Sequence, residues 1–514
     1  MMLVIILLLL ILIILMYNYY VHYTKNGQLI NLIPGQLGYP IIGNTLHFLG
    51  SREEQWKKIV TLTNQYVIFK VWIFFIPFVS ITDPDDVEKI LSNTNHVEKS
   101  IVYDIAKPWL GTSLGISKGD KWHSRRKILT PPFHYNILQQ FTEILIEQSK
   151  NMTKCLKNTE GTVVKDLISF VSEYTLNIIC ETAMGTSLQD LNAFQQQYRK
   201  AVHRMTELMV YRFFRPWLHF DWIFSLTSKG REQKKILKIL HRFTEHIIAE
   251  RRLYHERTNG QYLKEFDNLS AQRDDNETIG TRRKRLAMLD LLIAASREGL
   301  MTDIDIREEV DAFVFAGYDT VAIAVSFILA QLAEHKDIQD RARNEVDSAI
   351  QGNEEQFTFK LLQQLPYLER CIKEALRLYS SAPLISRICG EDVKLQSYLV
   401  PAGTTINMII YAIHRNSNFW PNPEVFNPDR FLPEKIRNRH PYSYISFSAG
   451  PRNCIGQRFA MLEMKAMIAS VIHNFYLEPI DYLKDVRLQA DITLCPTQPL
   501  RIRFIPIHKI NVRI

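Results

Sequence analysis

From about residue 120 to residue 390 the chain is written almost entirely in helical periodicity, and this stretch constrains the fold more than any other feature. It holds long amphipathic segments and few prolines. Runs rich in aromatic and branched residues appear only toward the ends, at 67–72, 78–81, 404–410 and 500–505. The first two are broken by Pro77 and closed by Asp83-Pro84. A mainly α fold with small β sheets drawn from both ends follows. At 514 residues the chain exceeds the size at which one core usually stops growing, so either two lobes or one large helical domain is expected. There is no internal repeat. The charged segment 257–285, with Asp274-Asp275 and Arg282-Arg283-Lys284-Arg285, is expected to be a solvated connector.

Residues 1–16 are uninterrupted apolar and are followed by Tyr17, Tyr19 and Tyr20, an aromatic belt at the end of a run of about 20 residues. A cleaved signal would carry basic residues before the apolar run and small residues after it, and neither is present. Lys25, Arg52, Lys57 and Lys58 follow the run and no acid precedes Glu53, so the positive-inside tendency leaves the body on the cytosolic side. The repeated Pro and Gly of Ile33-Pro34-Gly35, Gly38-Tyr39-Pro40 and Gly43-Asn44 set a non-helical connection. The expected division is an anchor at 1–22, a Pro/Gly linker at 23–50 and a body at 51–514. A formal charge of +8 suits an anionic membrane surface or an acidic protein partner. Nucleic acid is excluded as a partner, because the basic residues are scattered and no recognition motif is present.

Six cysteines, at 155, 180, 371, 389, 454 and 495, form no CxxC, so neither a zinc site nor a disulfide framework is indicated. They read as reduced thiols, mostly buried. Cys454 differs by context. In Phe447-Ser448-Ala449-Gly450-Pro451-Arg452-Asn453-Cys454-Ile455-Gly456 a Gly-Pro turn precedes the cysteine, and Gly456 offers close approach to something flat. A helix over 457–471 begins just beyond, where its dipole and free N–H groups favour a thiolate. Such a sulfur suits haem iron, and Arg452 suits a haem propionate.

This FxxGxRxCxG loop resembles that of the cytochrome P-450 superfamily, and the likeness extends over nearly the whole chain. The resemblance implies the P-450 fold, with a long central helix over a haem b (iron protoporphyrin IX) held by Cys454, with Phe447 beside the sulfur. Glu374 and Arg377 lie three apart and share a helix face. The family joins such a pair to an arginine like Arg430, in Asn427-Pro428-Asp429-Arg430-Phe431, as a buried network behind the cysteine loop. Trp122 and Arg126, one helical turn apart, and Arg387 are the expected propionate partners. Lys118, Lys121, Arg125 and Lys127 are the expected docking face for an acidic electron donor.

The segment 303–335 reads as one helix of ~50 Å at ~1.5 Å per residue, capped by Thr302 with Asp305 at its third position. At its centre stands Ala316-Gly317-Tyr318-Asp319-Thr320. Gly317 is expected to make room for cofactor and dioxygen. The Thr320 hydroxyl can bond the Ala316 carbonyl, and Asp319 can relay protons. REEVDAFVFAGYDT, PWLGTSLG, KWHSRRKILTPPFH and ETAMGT are similar to the fatty-acid ω-hydroxylases (family 4), insect members in particular. Ala316 stands where many of these have a glutamate that esterifies the haem, which implies a non-covalent haem here. Val321 replaces a second hydroxyl residue.

The resemblance implies a membrane-bound monooxygenase of the endoplasmic reticulum (the microsomal fraction), its catalytic body on the cytosolic face. NADPH would supply electrons through a separate flavoprotein reductase, with cytochrome b5 as a further candidate donor. Lipophilic substrates follow: fatty acids, lipid hormones, or foreign compounds such as insecticides. Phe315, Leu384 and Ile385 are the expected cavity residues. The rivals are a peroxide isomerase or dehydratase, which the Asp319-Thr320 pair disfavours, and a haem sensor or scavenger.

Overall fold

The computed structural model describes residues 1–158, 161–188, 191–258, 287–351 and 357–507. All but the first two residues of the charged connector at 257–285 lie outside the described residues. The N-terminal elements that position the site are helices α1 (Met2–Tyr23), α2 (Lys25–Leu32) and α3 (Arg52–Gln65), then strands β1 (Ile68–Ile73) and β2 (Ile76–Ile81). Helices α4 (Gly119–Leu129) and α5 (Tyr135–Lys157), strand β3 (Val163–Asp166), and helices α6 (Leu167–Thr182), α7 (Asn192–Phe213) and α8 (Ser228–Arg257) follow. Next come α9 (Asp303–Glu334), α10 (Pro366–Leu378), β4 (Ile385–Ile388), β5 (Thr405–Met408) and α11 (Gln457–Asn474). Strands β6 (Phe475–Pro479), β7 (Leu488–Ala490), β8 (Leu494–Pro496) and β9 (Arg501–Pro506) end the described chain.

The molecule is mainly helical with small sheets, as the periodicity requires. Among the described residues two helices are apolar and long enough to cross a membrane, and burial separates them. The most apolar window of α9 is 72% buried, which makes it the core helix; that of α1 is 0% buried. A helix apolar on every side is stable only inside protein or lipid, and the apolar window of α1 is not covered by protein. Only its C-terminal end touches the body, where Tyr17 meets Phe75 edge-on and His22 lies on Trp72.

Helix α9 starts where expected, because the Thr302 and Asp305 side chains cap each other's backbone N–H groups. It runs as one uninterrupted helix of 32 residues, so the Thr320 hydroxyl does not break it. α6 lies along α9, α11 lies against both α9 and α5, and their apolar faces form the main core.

The four-stranded sheet runs in the order β1-β2-β5-β4, joining the two ends of the chain. β2 and β5 are parallel, pairing Phe78 with Thr405 and Ile81 with Met408; the other pairs are antiparallel. The strand expected over 404–410 stops at Met408, and Ile410–Ile413 turns into a short helix. β3, β9 and β6 form a second sheet, and β7 and β8 pair as a hairpin.

The Pro/Gly stretch after α2 is non-helical, as expected, but it is fastened to the body. Pro34 O accepts from Lys70 N (2.8 Å), Asn44 Oδ1 accepts from Trp72 N (2.9 Å), and Ile33 is fully buried. Backbone groups that cannot pair within the stretch pair with β1 instead.

Candidate active site

Cys454 sits just before α11, on a loop that closes on itself through Cys454 N donating to Phe447 O (2.9 Å). Gly450 turns the loop with φ +70°, and a Cβ there would fall 1.8 Å from Leu91 O, so no side chain fits. Gly456 is different: an added Cβ would meet only Phe133 at 3.9 Å, so nothing in the protein itself requires a glycine. Phe447 is half-buried against the main core, and its carbonyl rather than its ring closes the loop.

Helix α4 grips this loop from one side. Arg126 donates to Asn453 O (3.0 Å) and Asn453 Oδ1 (2.8 Å). Arg452 lies over the Trp122 ring at 4.7 Å and donates to Ser117 O. Trp122 and Arg126 therefore reach the loop together, as their spacing suggests. Burial pushes the Cys454 thiol up, against the pull of the Gly456 N–H and of Arg126. The helix start alone does not make a thiolate, because one N–H and one guanidinium do not outweigh desolvation. Cys454 lies deep among protein atoms yet keeps accessible surface, so it borders open space rather than packed side chains.

Beside the loop three cations gather. Lys99 bridges to Arg387 across the edge of β4, and Arg387 and Arg452 are both buried. Burial, then Arg387 and Arg452, hold Lys99 well below the usual lysine range. Burial, then Arg387, pull Arg452 down to about 10. Arg452 Nε and Nη1 are buried and have no partner among the described residues. Buried donors without acceptors are costly, so this cradle suits the carboxylates of an anionic group. Lys99 escapes a sequence reading, since only the fold brings it to Arg387.

The expected Glu374, Arg377 and Arg430 network is present and buried. Glu374 accepts from Arg377 Nε (2.7 Å) and Nη2 (2.8 Å), Arg430 Nε (3.1 Å) and Asn427 N (2.9 Å). Arg430 also donates to Pro421 O (2.6 Å) and Asn422 O (2.7 Å). His414 carries the network to the cysteine loop. Its Nε2 accepts from Ile445 N (2.9 Å), so the proton is on Nδ1, which donates to Arg377 O (3.2 Å). Burial, then Arg377, pull His414 down to about 3, which keeps it neutral. His414 was not found from sequence, and a lone His carries no signal there.

In the middle of α9, amid buried neighbours, Ala316 is exposed and Thr320 half-buried. Thr320 Oγ1 donates to Ala316 O (2.7 Å), and Thr320 O accepts from Ser381 Oγ (2.7 Å). Asp319 accepts from Thr493 Oγ1 (3.0 Å) on the β7–β8 hairpin, and burial pushes its carboxyl up to about 6 against that bond. Gly317 faces elsewhere than expected. A Cβ there would lie 2.5 Å from Ile179 Cδ1, so the glycine serves the close packing of α9 on α6.

A cavity of about 410 Å³ lies against Ala316 and is lined by Phe315 and Leu384 among others. Ile385 points into the second apolar cluster behind the sheet, because neighbouring strand residues face opposite ways. The expected donor-docking face is also altered. Arg125 is buried in ion pairs with Asp305 (2.5 Å) and Glu309 (3.8 Å), and Lys121 pairs with Asp305 (3.0 Å). Lys118 and Lys127 remain exposed.

Known proteins define the class. The family model "Cytochrome P450" matches residues 33–504, from the segment fastened to β1 through β9, and the chain belongs to that family. It is a haem-dependent monooxygenase. Among curated relatives it is similar to "Cytochrome P450 4c3" of Drosophila melanogaster, 40% identical, over 93% of this chain and 90% of that one. "Cytochrome P450 4c21" of Blattella germanica is 38% identical over 94% and 95%, and "Cytochrome P450 4V2" of Homo sapiens 36% identical over 94% and 91%. These are family-4 members, as the motifs in the long helix suggest.

Proposed function

We propose that Cys454 would hold the iron of a non-covalently bound haem b through its sulfur, and that the chain oxidises lipophilic molecules at a C–H bond. The observation that carries this is the accessible Cys454 surface beside a cation cradle whose buried Arg452 nitrogens lack partners among the described residues. Arg126, Arg387, Arg452, Lys99 and the Trp122 N–H would hold the propionates. Ala316 presents only a methyl group, which cannot esterify the cofactor. When bound, the haem supplies activation of dioxygen and transfer of one oxygen atom, with electrons from NADPH through a separate flavoprotein reductase.

The chain's own residues supply the rest. Phe315, Leu384 and the Ala316 methyl hold the substrate and exclude water. The Asp319 carboxyl, at about 6, can exchange a proton near neutrality, and Thr320, the following residue on α9, offers a separate hydroxyl to the same relay. Glu374, Arg377 and Arg430 act through the loop as positioning residues.

Residues 1–22 anchor the chain in the endoplasmic reticulum membrane, 23–50 connect, and 51–514 form the catalytic domain on the cytosolic face. The bare apolar surface of α1 supports this, as do the exposed Trp217, Phe220, Trp222 and Leu226 before α8. Lys118 and Lys127 offer a reductase or cytochrome b5 two positive contacts. Fatty acids, lipid hormones and foreign compounds are the substrate classes. Reconstitution with a flavoprotein reductase, NADPH and oxygen tests the reading: product should form with all three and fail without any one. Product from a peroxide in the absence of reductase and oxygen, but not from the complete system, would favour an isomerase instead. Acid–organic extraction should remove all the pigment, and pigment left on the polypeptide would refute the non-covalent part.

A further inference from the structure

Where the sheet floors the cavity, its polar side chains fall in one row. Ser80 on β2 pairs with Asn407 on β5, and Asn407 pairs with Ser386 on β4, so the three side chains lie abreast. All three line the cavity, together with Phe69, Phe78 and Ile409 on the same face. β5 is the inner strand between β2 and β4, yet Asn407 is half-exposed, and what it is exposed to is the cavity. Ser386 Oγ is used, donating to Ile406 O (3.2 Å). The Asn407 amide makes no side-chain hydrogen bond among the described residues: Oδ1 is buried, and Nδ2 is left as the donor that the cavity can reach. An amide N–H and a hydroxyl placed side by side in an apolar cavity leave donors that the carbonyl of a ligand can satisfy.

The surrounding charges decide what that ligand carries. Lys99 is the one cation among the described residues that line the cavity, and it belongs to the cradle with Arg387 and Arg452. The one acid in the lining, Asp491, is held by Arg52 at 2.6 Å. A carboxylate in this cavity would lose its water and find no free counter-ion. An uncharged ester, amide or hydroxyl would not.

We propose that Asn407, with Ser80 beside it, is the specificity-determining subsite for an uncharged polar group of the substrate. The cavity therefore takes neutral oxygenated or amide-bearing lipids in preference to free carboxylates. This rests on the monooxygenase reading for the identity of the cavity as the substrate site, but its test does not require turnover.

The test is a ligand series of one chain length: the fatty acid, its methyl ester, its primary amide and the parent hydrocarbon. Dissociation constants come from calorimetry and from the ligand-induced shift of the haem band in the purified full-length protein. At pH 7.4 the ester and amide should bind at least tenfold tighter than the acid. Asn407→Leu should lower ester and amide affinity relative to the hydrocarbon by roughly three- to tenfold, the worth of one hydrogen bond. Ser80→Ala should do so by less. A fatty acid that binds wild type as tightly as its ester overturns the proposal, and this arm needs no variant to fold. So does an Asn407→Leu protein in which ester and hydrocarbon affinities fall together or neither changes. Absence of the haem band would fail the monooxygenase reading instead, while calorimetry would still rank the ligands.

Discussion

Replacing Glu374 by alanine strands two arginines at once. The carboxylate is fully buried and accepts four hydrogen bonds, three from the guanidinium groups of Arg377 and Arg430 and one from Asn427 N. Arg377 is itself fully buried, so water cannot take over. Breaking a buried charge pair by removing one partner costs about 3–5 kcal/mol. At about 1.4 kcal/mol per decade, that is roughly two to four powers of ten in the equilibrium between the ordered and disordered site. The cost falls on the cysteine loop, because Arg377 O holds the His414 ring whose Nε2 takes Ile445 N. Purified Glu374→Ala should therefore contain little haem, and its urea midpoint should drop sharply. Glu374→Gln keeps the volume but turns an N–H toward a guanidinium, so it should fail in the same way, which separates charge from shape. A Glu374→Ala protein with a full haem complement and an unchanged midpoint would refute the reasoning.

Asp319 and Glu463 give two further outcomes. Burial raises the Asp319 carboxyl to about 6, above its unfolded value, so its contribution to stability is present in acid and lost as pH rises through 6. Asp319→Asn should match wild type near pH 4, exceed it in thermal stability above pH 7, and remove the limb near pH 6 from the pH–rate profile. A limb that persists in the variant counts against Asp319 as the proton relay. Glu463, on α11, is fully buried with neither oxygen partnered among the described residues, and burial holds its carboxyl well above the usual range. Glu463→Met removes that desolvation cost and should raise stability by about 1–3 kcal/mol in urea unfolding, more at alkaline pH; an unchanged or lower midpoint contradicts it.

What is legible from sequence is what chemistry packs into a short stretch. The cysteine loop, the Glu374–Arg377 pair and the Thr302–Asp305 cap each use neighbours within one turn or one loop, so their spacing carries the geometry. Trp122 and Arg126 belong to the same class, although their targets, Arg452 and Asn453, become visible only when α4 meets the loop. Lys99, His414 and Asn407 are illegible for the opposite reason: each gains its role from another element, some 30 residues away for His414 and about 300 for Lys99 and Asn407. Gly317 and Arg125 mislead because a small residue or a cation has the same letter whether it faces a ligand, a helix or a buried acid. α6 claims Gly317, and Asp305 and Glu309 claim Arg125.

The sulfur of Cys454 is most directly tested by the absorption band of the reduced protein under carbon monoxide. Wild type should show the red-shifted band of a thiolate-held haem, and Cys454→Ala should lose the pigment or move the band to the ordinary haem position. A Cys454→Ala protein that keeps the red-shifted band at full intensity would show that another residue holds the iron.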